Sequence, residues 1–292
     1  MKLRLWLAVA AVLTVLSVSA ARRALVVGVS DYPRHRSVPA MSWSPVHGAE
    51  DAAMMDKALR DRGFAVTILT DKRATAAGIR SALRALLTSA KRGDVVVFHF
   101  SGHGQPVEDA DGDEADGWDE ALVAYDAWRM YSRGVYHGEN HILDDELNTF
   151  FTALRRKVGP RGMVYAFIDA CHSGGASRGD EVEEDAPARG AESGLSASGR
   201  RYVPRIDRRG NIRIPAVKGG SPICVIEACR AYQTNSEIKV GGRWHGPLTY
   251  YITRCLPRPY PTADLRWTDS LRRLMEGDPR LLRQNPVIEF SR

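Results

Sequence analysis

The chain has 292 residues, 44% of them hydrophobic, so it holds enough apolar matter for one substantial core and is not disordered throughout. Its formal net charge of +6 comes with no aromatic-interleaved basic helix and no nucleic-acid motif, which leaves nucleic acid out as an expected partner. The 4 cysteines form no C-x-x-C pair and are too sparse for a disulfide scaffold or a structural zinc, so Cys224, Cys229 and Cys255 are expected to be buried free thiols, with one bridge among them as the alternative in an oxidising compartment.

Residues 1–20 read as a secretory signal: Lys2 and Arg4 precede an apolar run from Leu5 to Val18, which ends in the small residues Ser19 and Ala20. The run is short for a membrane span, so a secreted or periplasmic protein is expected, with membrane attachment only if the segment is retained. Residues 24–30, 64–70, 94–100 and 163–170 are continuous apolar runs rich in valine and aromatics, the pattern of strands buried on both faces. Between them, Ala52, Met55 and Leu59, then Ile79 to Ala90, then Leu147 to Val158 repeat at three-four spacing and predict helices. Residues 177–220, dense in Gly, Ser, Arg and Glu, predict a long exposed loop. Order returns at 222–228 as a strand, at 247–256 and 264–275 as helices, and at 286–290 as a short strand. This alternation predicts one α/β domain over 21–292, an open, mostly parallel sheet with helices on both faces and its chemistry at the carboxyl ends of the strands.

Two such ends carry reactive side chains. Ser101-Gly102-His103-Gly104 follows one strand, and Asp169-Ala170-Cys171-His172-Ser173-Gly174-Gly175 follows another. If the two strands are close, imidazole and thiol face across one crevice, as a cysteine nucleophile requires, and the N–H groups of Gly104 and Cys171 are candidate oxyanion donors. His99 and His103 stand four apart like a helical zinc pair, but "HFSGH" lacks the glutamate and its Ser-Gly spoils a helix, so zinc is not expected.

"VVVFHFSGHGQ", "DGDEADGWDEALV", "ILDDEL" and "FIDACHSGG", in that order, resemble a type I metacaspase, one of the caspase-like cysteine peptidases of bacteria, plants, fungi and protists. The likeness extends to "ALVVGVSDY", "GAEDAAMMDKALRDRGF", "IEACRAYQTNSE" and "GPLTYYI", and implies a caspase-like fold with a large-subunit-like part over 21–176 and a small-subunit-like part over 221–292. It implies His103 and Cys171 as the catalytic dyad, and Asp51, Ser101 and Asp169 as the lining of a pocket for a P1 arginine or lysine. Carboxylates at the base of such a pocket hold a cationic side chain and repel an acidic one.

Asp109, Asp111, Asp113 and Glu120 imitate a calcium-binding EF-hand loop, but Glu114 stands where that loop needs glycine. The resemblance instead implies activating, non-catalytic Ca²⁺ held by Asp119, Asp144 and Asp145, with Asp180 as a possible fourth ligand; the lesser alternative is that Asp144 caps the helix that follows and the others are solvated. Arg178, Arg189, Arg200, Arg201, Arg205, Arg208, Arg209, Arg213 and Lys218 in the 177–220 loop make self-cleavage there the expectation, between Arg189 and Arg209. A catalytically silent module that binds a partner, or another cysteine hydrolase on the same fold, are the alternatives.

Overall fold

A computed structural model describes residues 20–112, 114–172, 186–191, 193–206, 210–212, 214–258 and 264–291. The signal-like segment up to residue 19, Asp113, Arg178, Asp180, Arg208, Arg209 and Arg213 lie outside the described residues. Among those described, no helix is long and apolar enough to cross a membrane.

The chain opens with β1 (Arg22–Gly28), α1 (Gly48–Arg60), β2 (Ala65–Thr70), α2 (Ala76–Ser89) and β3 (Val95–Ser101). There follow β4 (Gly104–Glu108), β5 (Trp118–Val123), β6 (His141–Leu143), α3 (Asp144–Val158) and β7 (Met163–Asp169). Beyond the 177–220 segment come β8 (Ile223–Glu227), the short pair β9 (Ile238–Val240) and β10 (Arg243–His245), α4 (Pro247–Cys255), α5 (Arg266–Glu276) and β11 (Val287–Ser291).

The central sheet runs β11-β8-β7-β3-β1-β2, parallel except for β11 at its edge. Period two assigns its side chains to two cores. Leu25, Val27, Val96, Phe98, Phe100 and Ile168 face α2 and α3, while Val26, Val97, Tyr165 and Phe167 face α1, α4 and α5. With both faces covered, the central strands have no polar side to display, which is why they read as unbroken apolar runs.

Register fixes the site. Ser101 is opposite Asp169 on β7 and Gly28 on β1, so the carboxyl ends of these three strands finish level and side by side. A second, antiparallel sheet β4-β5-β6 leaves the end of β3 and carries the acidic segment. All 4 cysteines are free thiols, Cys255 half-buried and the others buried.

Candidate active site

His103 sits in the turn between β3 and β4, buried against Trp43 and Tyr32 with ring centroids 4.8 and 5.2 Å away. Its backbone N–H donates to the Tyr32 hydroxyl at 3.0 Å, and its Nε2–H donates to the Ser44 carbonyl at 2.9 Å. That bond fixes the tautomer and leaves Nδ1 as the basic nitrogen, buried with no hydrogen-bond partner among the described residues. Burial lowers the imidazole pKa to about 4, against the pull of the Ser44 carbonyl, so the ring is neutral at physiological pH and able to accept a proton.

Cys171 follows β7, fully buried, its thiol donating to the Gln233 carbonyl at 3.0 Å. The next turn lies hard against β4: a Cβ on Gly104 would stand 2.7 Å from the Cys171 carbonyl oxygen and 3.0 Å from the His172 ring. Only glycine admits that approach, and it sets the N–H groups of Gly104 and Cys171 toward one point. They donate there to a single acceptor, the Arg189 carbonyl, at 3.2 and 3.0 Å.

Arg189 belongs to the 177–220 segment, and its burial overturns the expectation of exposure at this position. Ala191, Leu195, Tyr202, Asn211, Ile212 and Val217 are buried as well, whereas Arg200, Arg201 and Lys218 are exposed. The stretch before Arg189 pairs with the loop after β8: Arg189 N–H donates to the Asn235 carbonyl and Glu237 N–H to the Pro187 carbonyl, both at 2.9 Å. After it, Gly190 pairs with Gly104. Residues 187–190 thus cross the crevice held by bridges on both sides of Arg189, at Ala188 and at Gly190.

The Arg189 guanidinium fills a pocket in which every N–H finds an acceptor. Nε donates to Glu237 Oε1 at 3.0 Å; one terminal nitrogen donates to Asp51 Oδ2 and Glu237 Oε1, both at 2.7 Å; the other donates to the Ser101 hydroxyl and to the Asp169 backbone carbonyl at 3.2 Å. The three residues singled out in sequence therefore meet, but Asp169 acts differently from the paired carboxylate expected. Its carboxylate accepts from Asn235 and from the Thr249 N–H at 2.9 and 2.7 Å and faces the guanidinium at 3.6 Å.

Glu237, which sequence reasoning passed over, is the second carboxylate in direct contact, held by the backbone N–H and Nδ1 of His47. Burial pushes the Asp51 carboxyl up, but the Arg189 charge, His245 and Ser101 outweigh it and hold the pKa below the ordinary range. Asp169 is raised, because burial exceeds the pull of Arg189 and the Asp51 charge adds to it. Arg189 itself is held above its usual range by Glu237, Asp51 and Asp169 despite its desolvation.

A family model described as the caspase domain matches residues 21–274. The chain belongs to the caspase-domain peptidase family. It is 33% identical over 192 residues to metacaspase-2 of Arabidopsis thaliana, covering 62% of this chain and 38% of that protein. It is 26% identical to metacaspase-1 of Scheffersomyces stipitis, covering 65% and 52%, and 41% identical over 100 residues to metacaspase-3 of Arabidopsis thaliana, covering 34% and 24%. The chain therefore spans between a quarter and about half of the length of these relatives. A solved structure of a Geobacter sulfurreducens protein superposes with a TM-score of 0.61 over 93% of each chain at 22% identity, which shows the shared caspase-like fold.

In this caspase-domain protein the expected calcium ligands lie on the antiparallel sheet and at the start of α3. Leu143, not Asp144, is the residue before the helix, and it is followed by Asp144 and Asp145 in the first turn, with no side-chain cap bond. The capping alternative for Asp144 thus fails. Asp144 is buried, and its Oδ1 has no hydrogen-bond partner among the described residues. Burial first, then the charges of Asp145, Asp119 and Glu114, raises its pKa to about 8. A buried carboxylate crowded by like charges and lacking a partner for one oxygen has the chemistry of a hard-cation ligand. Among the described residues, however, no three His, Cys, Asp or Glu side chains converge closely enough to hold a metal ion as they stand.

His99 is a strand residue as expected, its Nε2 within 2.9 Å of the Thr249 hydroxyl.

Proposed function

We propose that the chain is a cysteine endopeptidase of metacaspase type that cleaves after arginine or lysine, is stimulated by calcium, and cuts itself at Arg189–Gly190. One observation carries this reading: the Arg189 side chain lies in an acidic pocket while its carbonyl accepts from two N–H groups beside Cys171. That is the pose a scissile bond needs, with the charge that develops on oxygen already faced by donors.

In this mechanism His103 Nδ1 takes the Cys171 proton, and the thiolate attacks the carbonyl carbon. The resulting oxyanion is held by the N–H groups of Gly104 and Cys171. As the C–N bond breaks, the imidazolium passes its proton to the leaving amine, which in self-cleavage is the nitrogen of Gly190. A water then loses a proton to His103 and attacks the thioester, releasing the carboxylate and the thiol. His103 suits this role because its Nε2–H is committed to Ser44. Asp51, Ser101, Asp169 and Glu237 position the cationic side chain and take no part in proton transfer.

Asp119, Asp144 and Asp145 would hold Ca²⁺, whose charge would offset the mutual repulsion of the carboxylates around Asp144. Residues 1–20 are proposed as the signal that sends the protein out of the cytoplasm. The experiment is hydrolysis of otherwise identical fluorogenic peptides ending in Arg, Lys or Asp, with calcium or with chelator, beside Cys171→Ala. Calcium-stimulated release from Arg and Lys peptides alone supports the reading. Turnover by Cys171→Ala, or equal cleavage after Asp, overturns it.

A further inference from the structure

The segment is gripped a second time, well past the bond to be cut. Six positions after Arg189, Leu195 is 3% exposed and packs against Met41 and Tyr136, with Val107, Trp128 and Tyr131 around them. Its backbone is paired to β4 on both sides: Leu195 N–H donates to the Pro106 carbonyl at 2.8 Å, and Glu108 N–H donates to the Leu195 carbonyl at 2.9 Å. The wall opposite is Gly138, at φ +102°, where a Cβ would stand 2.8 Å from Leu195 Cδ2. A side chain there would fill the seat, and the backbone conformation disfavours one.

The seat is also supported from below. Gln105, fully buried, donates its amide to the Arg129 carbonyl at 2.9 Å and to the Ser193 carbonyl at 3.1 Å, so it holds the main chain of the segment whatever its side chains. Its own oxygen accepts from His141 Nε2, whose Nδ1 in turn accepts from the Tyr136 hydroxyl, each at 2.9 Å. Tyr136, a wall of the seat, is thus tied to the residue that grips the segment. Arg129 N–H donates to the Met41 carbonyl at 2.9 Å and binds the two wall loops to each other. The pocket is made of body residues that are fixed independently of Leu195.

We infer that this seat is a second recognition site, which takes an aliphatic side chain six positions beyond the cleaved arginine of a polypeptide substrate once the chain's own segment has withdrawn. The inference rests on the reading that residues 187–190 lie as a substrate does. It names the favoured substrate class: extended, unfolded segments with arginine in the acidic pocket, small residues around the bond, as Ala188, Gly190 and Ala191 are here, and Leu, Ile or Val downstream. Short peptides that end at the arginine miss this contact.

The test uses two peptides copying residues 186–198, one with Leu and one with Ser at the position of Leu195, given to the self-processed wild-type protein. Burying a leucine side chain predicts a kcat/KM for the Leu peptide about tenfold or more above that of the Ser peptide. In Met41→Ala that ratio should fall toward one. Equal kcat/KM in the wild type overturns the inference. A second readout needs no catalysis: in full-length Cys171→Ala, adding Leu195→Ser should speed amide exchange at Glu108 at least tenfold relative to β3. Unchanged exchange there overturns the seat. Failure of every peptide to be cut would count against the peptidase reading instead, with the seat then judged by exchange alone.

Discussion

Two acidic regions of this molecule have opposite electrostatic histories. At the strand ends, Asp51, Asp169 and Glu237 enclose the guanidinium of Arg189, which satisfies their charge from within the chain. At the start of α3, Asp144 stands beside Asp145, Asp119 and Glu114, and its pKa rises to about 8. Arg205, which borders the acidic segment, is engaged by Asp116 and Glu120 at 3.4 and 3.1 Å. Burial opposes ionisation in both places; the Arg189 charge outweighs it at Asp51 though not at Asp169, and at Asp144 like charges add to it. The first region is closed by the chain's own arginine; in the second, like charges crowd Asp144.

The harshest way to break this comparison is to remove the nucleophile. Cys171→Ala should abolish peptide hydrolysis and leave the Arg189–Gly190 bond whole after incubation with calcium, as gel mobility and N-terminal sequencing of fragments would show. If the fragment beginning at Gly190 appears in the variant, the cut is made by another protease and the self-seated segment is a bystander.

Next in size is the loss of the internal counter-ion. In a Cys171→Ala background, Arg189→Leu removes the arginine charge from three buried carboxylates and should cost about 3–5 kcal/mol in urea unfolding, the range for breaking a buried ion pair from one side. A change within ~0.5 kcal/mol would mean that the segment leaves the pocket freely and that Arg189 contributes little to the fold.

The second acidic region should respond in the other direction. The Asp144 carboxyl is protonated in the native state up to about pH 8, while the unfolded chain releases that proton near the ordinary carboxylate value of 3.8. Between these values the unfolded state binds fewer protons, so stability falls as pH rises. The loss between pH 5 and pH 7.5 should be about 2–3 kcal/mol without calcium and should shrink in Asp144→Asn, which has no proton to lose. Millimolar calcium should raise the unfolding midpoint of the wild type at pH 7.5 and leave that of Asp144→Ala/Asp145→Ala in place. A flat pH dependence in the wild type, or an equal calcium shift in the variant, dissolves the contrast between the two regions.

The inner strands β1, β3, β7 and β8 were legible because they are buried over nearly their whole length, whereas the edge strand β2, expected to be buried on both faces, is mostly half-buried or exposed because one side of it has no neighbour. That the strands carrying His103 and Cys171 end side by side was legible from their apolar runs and glycine-framed ends, and Ser101 stands opposite Asp169 in the register. The sheet β4-β5-β6 was missed, since its strands run through acidic residues and Pro106 and carry no apolar alternation long enough to stand out. Glu237 and the burial of Arg189 were hidden for a different reason. An arginine in a basic run reads as solvated, and its partner Asp51 lies 138 positions away, beyond any local pattern. Gln233, Asn235 and Thr249, which anchor Cys171 and Asp169, are likewise joined to the site only by tertiary pairing.

The mildest prediction separates the carboxylates within the first region. Asp51 Oδ2 accepts directly from the guanidinium and also from Ser101 and the Gly246 N–H at 2.8 and 2.9 Å, so Asp51→Asn puts an amide where three donors converge. The carboxylate of Asp169 already has donors in Asn235 and Thr249, and it gives the guanidinium its charge at 3.6 Å together with a backbone carbonyl that substitution does not remove. Replacing Asp169 by Asn should therefore lower kcat/KM on an Arg peptide about tenfold, and replacing Asp51 about a hundredfold, because a charge-assisted hydrogen bond is lost in one case and a longer-range attraction in the other. Both losses should sit mainly in KM, as neither residue touches the reacting atoms. Equal losses would mean that the two carboxylates share the cation evenly once the segment is replaced by a substrate, and a larger loss at Asp169 would reverse the order of the pocket.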